Sequence, residues 1–444
     1  MLEVWNNPEY VKNVAADILK EAARQGASSA EVDIGLNKGF SVTSRLGEVE
    51  SVEYNQDKIV DITVYFGHRT GSASLSDLRF DAIQSAVAAA CNIARFGDKD
   101  IYGGLAEKDL LAFNYPELNL SFPWDISVEQ AIEITKQCEN MALSEDKRIQ
   151  NSEGASLSTT QGSHVYGNSH GFMGAYHATR HDISCALVAG GEDEMQRDYS
   201  YTLSCDPAML ESIEWVARTA AEKTVRRLGA ARLSTRKVPV IFAAEEARGF
   251  LGHFVSAISG SNLYRKSSFL LDCLDQPVFP AHIQIDERPH LLKSLGSAPF
   301  DENGVATRPN IFIENGILRS YALSVYSARK LGMQTTGNAG GVHNLFINTG
   351  TKDLAALLKT MDTGLLVTDL MGQGVNLVTG DYSRGASGFW VEGGEIQYPV
   401  QEITIAGNLR DLYRRIIEVG TDVDKRGNIQ TGSILIESMM VAGD

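Results

Sequence analysis

Along the first hundred residues the apolar pattern changes period twice. Over residues 9–25 apolar positions recur every three to four residues and stop at Gly26, which predicts an amphipathic helix. Alternating segments follow at 30–35, 40–46, 49–55, 58–66 and 70–75, each bounded by Gly, Asn or Asp, the punctuation of an antiparallel meander. An Ala-rich helix is predicted over 79–96. The middle third repeats that order: a helix over 127–143 with Ser127 as its cap and Glu129 and Gln130 in its first turn, strands over 149–160, 164–168, 172–182, 184–189 and 195–203, and a helix over 207–228. The irregular stretch 102–122, which contains Pro116, reads as a linker.

From residue 235 onward the chain is richer in glycine and turns. One hairpin is signalled by 310–314, the Asn315-Gly316 turn and 317–323; another by 389–392, Gly393-Gly394 and 395–398. The expected fold class is α+β: a duplicated helix–antiparallel strands–helix N-terminal region followed by a strand-rich α+β C-terminal domain. The expected domains are residues 1–108, 109–230 and 231–444. No repeat is visible residue by residue, so the duplication rests on element order alone.

Composition narrows the function classes. The 444 residues are 43% hydrophobic and 22% charged, as in ordinary globular proteins. A net charge of −16 argues against direct nucleic-acid binding, which relies on Lys and Arg neutralising phosphates. No apolar run reaches the roughly 18–20 residues of a membrane span, and residues 1–10 carry no basic, then apolar, secretory signal. The five cysteines, Cys91, Cys138, Cys185, Cys205 and Cys273, include no CxxC pair, which fits reduced thiols in a cytoplasmic protein.

The strongest helical signal lies at 244–258, after the apolar strand 238–243. Glu245 and Glu246 suit a helix N-terminus. Ala247, Phe250, Leu251, Phe254, Val255 and Ile258 then form one apolar stripe. The opposite face carries Arg248, Gly249, Gly252, His253, Ser256 and Ala257, small and open enough for something to lie close to it.

Residues 249–271 (GFLGHFVSAISGSNLYRKSSFLL) resemble the central helix of the TldD/PmbA family in its PmbA/TldE form. The stretches 328–343 (ARKLGMQTTGNAGGVH), 370–390 (LMGQGVNLVTGDYSRGASGFW), 397–407 (QYPVQEITIAG) and 432–443 are similar to the same family. The resemblance implies a metallopeptidase complex whose TldD-type members carry HExxxH on this helix, two histidines binding zinc and the glutamate acting as general base. Aligned on Arg265-Lys266, those motif positions fall on Gly252, His253 and Ala257, and no cysteine follows Cys273 to match the family's late ligand. The expectation is therefore no catalytic residue and no metal ligand in this chain, with zinc in a TldD-type partner.

Other patterns carry less. His177 and His181 form HxxxH near His164 and His170, but the flanking residues alternate as in a strand. Residues 167–171 match GxSxG without the helix that a nucleophile elbow requires. SxxK at 327–330 lacks companion motifs, and Asp422, Asp424 and Gly427 lack calcium-loop spacing. The glycine clusters at 337–341, 372–374 and 380–388 have two readings: tight turns, or close approach of backbone to an extended peptide. On the second, His343, Asn344, Asp381, Tyr382, Ser383 and Arg384 are the candidate peptide contacts.

The resemblance thus implies a non-metal subunit that joins a TldD-type partner to cleave unfolded peptides, in peptide maturation or antitoxin degradation, with a homodimer as the assembly in isolation. Two other classes stay open: a non-proteolytic modulator acting on gyrase or an antitoxin, and an independent metallohydrolase using the histidines at 164–181.

Overall fold

The structure is a computed structural model that describes residues 8–191 and 194–443; the expectation for residues 1–10 lies largely outside them. It is a mixed α+β protein with a strand-rich C-terminal part. The first elements are α1 (Pro8–Arg24), β1 (Ser29–Arg45), β2 (Glu48–Phe66), β3 (Arg69–Leu75) and α2 (Phe80–Phe96). Then come α3 (Val128–Ser144), β4 (Ile149–Asn168), β5 (Met173–Ala189), β6 (Gln196–Ser204) and α4 (Ile213–Val225). Their strands form one antiparallel sheet in the order β3-β2-β1-β4-β5-β6, so each helix–strands–helix unit supplies half of it.

The helices follow from local chemistry. Ser127 caps α3 through a capping box with Gln130, which satisfies two otherwise orphaned backbone donors. Val11, Ala15, Ile18 and Ala22 of α1 and Val87, Ala90, Cys91 and Ala94 of α2 bury against Val32, Ile34, Ile62 and Val64. The α3–α4 pair covers Ala155, Cys185 and Leu187.

Several readings of this region are corrected: 49–55 with 58–66, 149–160 with 164–168 and 172–182 with 184–189 each form one strand, β2, β4 and β5, rather than two. The chain between Ala30 and Leu46 is one long strand, not two, because β2 and β4 both pair with it through Asn37 and Gly39. Gly39 is required there, since a Cβ would collide with the Thr159 carbonyl. The 102–122 stretch is irregular as expected, yet Leu105, Leu111, Leu118 and Leu120 are buried, so it is a packed strap. Likewise 207–228 is not one helix: a short turn at Pro207–Met209 precedes α4.

The C-terminal part begins with β7 (Arg236–Phe242), α5 (Ala244–Ile258), α6 (Gly260–Tyr264), β8 (Ile285–Glu287), β9 (Asn310–Glu314), β10 (Ile317–Leu318), α7 (Val325–Leu331), β11 (Leu345–Ile347) and α8 (Leu354–Met361). It continues through β12 (Gly364–Met371), β13 (Asp381–Glu392), β14 (Glu395–Asn408), α9 (Leu409–Arg414), β15 (Ile416–Val419), β16 (Ile429–Gln430) and β17 (Ile434–Ala442). The larger sheet runs β14-β13-β12-β7-β17-β15, and β14 also pairs with β17, closing it into a barrel-like ring. Closure removes the free edges that β14 and β17 would otherwise present there.

Candidate functional site

Helix α5 follows β7, which lies between β12 and β17 in the larger sheet. Ala247, Phe250, Leu251, Phe254, Ala257 and Ile258 are its buried face. Phe250 stacks on Phe242 with centroids 5.0 Å apart and meets Tyr413 at 4.9 Å; Phe254 meets Phe279 edge-on at 5.3 Å. Two positions differ from the sequence reading. Ala257, seven residues after Phe250, lies in the buried stripe, while Val255 at its margin is half-buried.

The opposite face is open. A Cβ at Gly249 or Gly252 would meet nothing within 4 Å. The motif positions therefore face different surroundings: Gly252 opens outward, Ala257 is in the core, and His253 lies edge-on to Tyr382 at 5.8 Å. Burial and the nearby Arg384 charge hold the His253 imidazole below its ordinary pKa. A catalytic zinc needs about three protein ligands. Glycine and alanine supply none, and among the described residues no group of three or more His, Cys, Asp and Glu side chains is arranged to hold a metal. The residues on this helix do not fit a zinc ion.

Around this helix several polar atoms are sequestered. His253 Nε2, Tyr382 Oη and Arg384 Nε are buried without a hydrogen-bond partner in the described protein, and Tyr382 is only 1% exposed. Arg384 Nη2 donates to the Leu370 carbonyl at 3.3 Å. At the N-terminus of α5, burial together with the charges of Asp369 and Glu245 pushes the Glu246 carboxyl up to about 7. Glu245 goes the other way: burial opposes ionisation, but Lys223, 2.7 Å away, and Arg426 hold it below the usual range.

A cleft of about 830 Å³ opens between the first sheet and this helix end, lined by Thr202, Trp215, Lys223, Glu245, Asp424 and Arg426 among others. A second hollow of about 480 Å³ shares Leu203, Leu295 and Arg426 with it and reaches Arg180, Gly340 and His343. Burial pushes the His343 imidazole down to about 4.

The six candidate peptide contacts do not form one cluster. His343 lines the second hollow. Asn344 is fully buried, its amide accepting from Ser294 Oγ (2.7 Å) and the Gly296 N–H (3.1 Å) and donating to the Arg288 carbonyl (3.0 Å) and Ser297 Oγ (2.7 Å). It fixes the loop and has no surface to offer. Asp381 is exposed, accepting from Thr379 (2.6 Å) and Asn408 (3.1 Å) at the start of β13. Ser383 is exposed, whereas Tyr382 and Arg384 turn toward α5. The glycines serve the chain's own backbone in two clear cases: Gly340 has φ +89°, and a Cβ at Gly388 would strike the Leu366 carbonyl.

The histidines at 164–181 are separately engaged. His164 Nε2 is 2.8 Å from Asp33, His170 Nδ1 is 2.9 Å from the Ala106 carbonyl, and His177 Nδ1 is 2.5 Å from Ser163 Oγ. His181 lies between Thr159 Oγ1 (2.8 Å) and the Phe122 carbonyl (2.9 Å). His177 and His181 sit four residues apart on β5, roughly 13 Å along a strand, too far to share an ion. Residues 167–171 span the end of β4 and the turn into β5, so a strand and not a helix follows them.

The sequence reading missed the ionic lining of the cleft. Lys223 pairs with Glu245 at 2.7 Å and Arg426 reaches the same carboxylate, while next to the lining Arg227 bridges Asp198 (3.3 Å) and Asp369 (3.0 Å). These partners lie far apart in the chain, so no local spacing announces them.

Comparison with known proteins agrees with this architecture. Residues 30–94, 122–228 and 235–443 match domain 1, the central domain and the C-terminal domain of the PmbA/TldA metallopeptidases. The chain belongs to the PmbA/TldA metallopeptidase family. It is 51% identical to the metalloprotease PmbA homolog of Haemophilus influenzae, over 97% of this chain and 96% of that one. It is 50% identical to metalloprotease PmbA of Escherichia coli O157:H7, over 95% and 94%. A crystal structure from Bacteroides thetaiotaomicron, of a candidate modulator of DNA gyrase, superposes with a TM-score of 0.92 at 26% identity, covering 98% of this chain and 99% of that one.

Proposed function

We propose that this chain is the non-metal subunit of a TldD/TldE-type metallopeptidase. A TldD-type partner carries the zinc, and this chain completes the chamber and restricts entry to unfolded peptides. The observation that carries the reading is α5: its aromatic packing is complete, while the motif positions hold Gly252, His253 and Ala257. The helix is retained as scaffold, with its glycine face turned outward and its N-terminal end at the cleft of about 830 Å³. Its substrate is unfolded peptide, in maturation or antitoxin turnover, and its compartment is the cytoplasm, in keeping with five free cysteines. Among the described residues no helix is long and apolar enough to cross a membrane.

Metal analysis of the purified full chain tests the assignment of subunits. Zinc well below one equivalent per chain is expected after equilibration with the ion. One tightly held equivalent would overturn the reading and favour an independent metallohydrolase.

A further inference from the structure

On β5, Cys185 and Leu187 face the helices, so by alternation Tyr176, Ala178 and Arg180 stand on the other face of the sheet. There the hollow of about 480 Å³ that reaches His343 meets another of about 300 Å³, and the two share Tyr176, Arg180, Leu295 and Ser297. Among the described residues their lining holds Arg180, Arg426 and His343 but no aspartate or glutamate, in a protein of net charge −16. The two arginines differ. Arg426 is engaged by Asp424 and Glu245, whereas Arg180 is exposed and its guanidinium has no hydrogen bond or ion pair with any described residue. Asp182, two residues along the same face, feels the Arg180 charge, yet burial dominates and raises its carboxyl above the usual range. An unpaired cation in a lining free of carboxylates attracts an anionic group.

Tyr176 and Arg180 stand on either side of Ala178, roughly 13 Å apart along the strand. Ala178 is laddered to Gly162, and Gly162 to Asn37. The strand floor between the two polar side chains therefore carries nothing larger than a methyl group. Glycine is required at 162, because a Cβ there would come within 2.7 Å of Asn37 Oδ1. Neither the Tyr176 hydroxyl nor the Asn37 amide has a hydrogen-bond partner among the described residues. The Tyr176 ring is held edge-on by Phe300 at 5.5 Å, which fixes where its hydroxyl points.

We propose that these two hollows hold an unfolded peptide by one of its carboxylates at Arg180, with Tyr176 and Asn37 bonding its backbone. The proposal rests on the peptide reading of the protein's function. Roughly 13 Å is the span of about four extended residues, more than a free ion uses. Strands β4 and β5 lie inside the sheet, so a chain here is recognised by side chains and not by adding a strand. Burial, with the charges of Asp33 and Glu302, pushes the Tyr176 hydroxyl up to about 12, so that end stays a neutral donor and disfavours an anion. The carboxylate is thereby directed to Arg180. It belongs either to the C-terminus or to an acidic side chain, since both offer the two-oxygen acceptor that matches a guanidinium.

The test measures binding to the full chain alone, by fluorescence anisotropy. The probe is an unstructured peptide, labelled at its N-terminus, with one internal glutamate and a free C-terminus. Companion peptides replace the glutamate by glutamine, amidate the C-terminus, or do both. Arg180→Gln is expected to weaken binding of the parent peptide about fivefold and of the doubly neutral peptide not at all. Whichever single replacement reproduces that loss with the wild-type chain identifies the carboxylate held. Ala178→Leu, which fills the floor, is expected to weaken every peptide severalfold with an unchanged circular-dichroism spectrum. The proposal is overturned if the wild type binds the parent and doubly neutral peptides equally, if Arg180→Gln weakens both alike, or if Ala178→Leu has no effect. No zinc, partner or cleavage enters these readouts, so the proposal and the assignment of subunits fail separately.

Discussion

Arg426 lies over the ring of Tyr201, its guanidinium carbon 4.4 Å from the centroid, and donates from Nη1 to the Tyr201 carbonyl at 3.0 Å. This contact ties the last strand of the first sheet to the C-terminal part. The same guanidinium pairs with Asp424 at 2.9 Å and with Glu245 at the start of α5. One side chain therefore holds the cleft wall, the sheet edge and the helix end together. Arg426→Ala leaves Asp424 and Glu245 short of a partner in a mostly buried setting. The expected loss is about 2–4 kcal/mol, measured by urea unfolding of the full chain. Arg426→Lys should recover only part of it, since an ammonium cannot reach the carbonyl and both carboxylates in one plane.

Glu246 makes stability depend on pH in a defined direction. Its folded-state value of about 7 lies above the ordinary 4.5, so between these values the folded state holds more protons than the unfolded one. Stability contributed by this group is present below about pH 4.5 and is lost as pH rises through 7. Glu246→Gln should therefore raise the melting temperature at pH 8 relative to wild type and change it little at pH 4.5. Equal effects at both pH values would contradict the placement of Glu246.

His343 acts in the opposite direction. Its folded value of about 4 lies below the ordinary 6.5, so the unfolded state takes up the proton first as pH falls. The stability associated with the neutral ring is intact above about 6.5 and declines toward 4. His343→Phe should flatten the acid limb of the stability profile, as read by thermal melts between pH 4 and 7.

The open face of α5 separates folding from assembly. Gly252→Ala should stabilise the chain by roughly 0.5–1 kcal/mol, because the helix gains propensity and the added methyl meets nothing within 4 Å. Gly252→Phe should leave the chain folded but lower peptide cleavage by the partnered enzyme severalfold. Unchanged cleavage with Gly252→Phe would mean that neither peptide nor partner approaches this face.

Arg384 and His343 test the proposed peptide contacts directly. Each alanine variant is expected to raise KM for an unfolded peptide in the partnered enzyme, with kcat less affected. If both variants cleave as wild type does, these side chains serve the fold alone.

Much of this fold is legible in the sequence where local chemistry decides it. The Ser127–Gln130 box, the Asn315-Gly316 turn and the 3.6-residue stripe of α5 each require only neighbours in the chain. The long β1 strand was harder to read, because Asn37 and Gly39 look like breaks until strands on both sides are known to pair with them. Placing Ala257 depended on a stripe edge that one helical turn leaves ambiguous. The helix itself was legible, but the cleft at its N-terminal end was not. Lys223, Glu245 and Arg426 meet only because the first sheet and the C-terminal part close on each other, and nothing in their spacing encodes that.

The most direct measurement is reconstituted proteolysis. An unfolded peptide is incubated with this chain, with a TldD-type protein, and with both, each with and without a chelator. The account predicts cleavage only in the mixture, abolished by the chelator. Chelator-sensitive cleavage by this chain alone would contradict it.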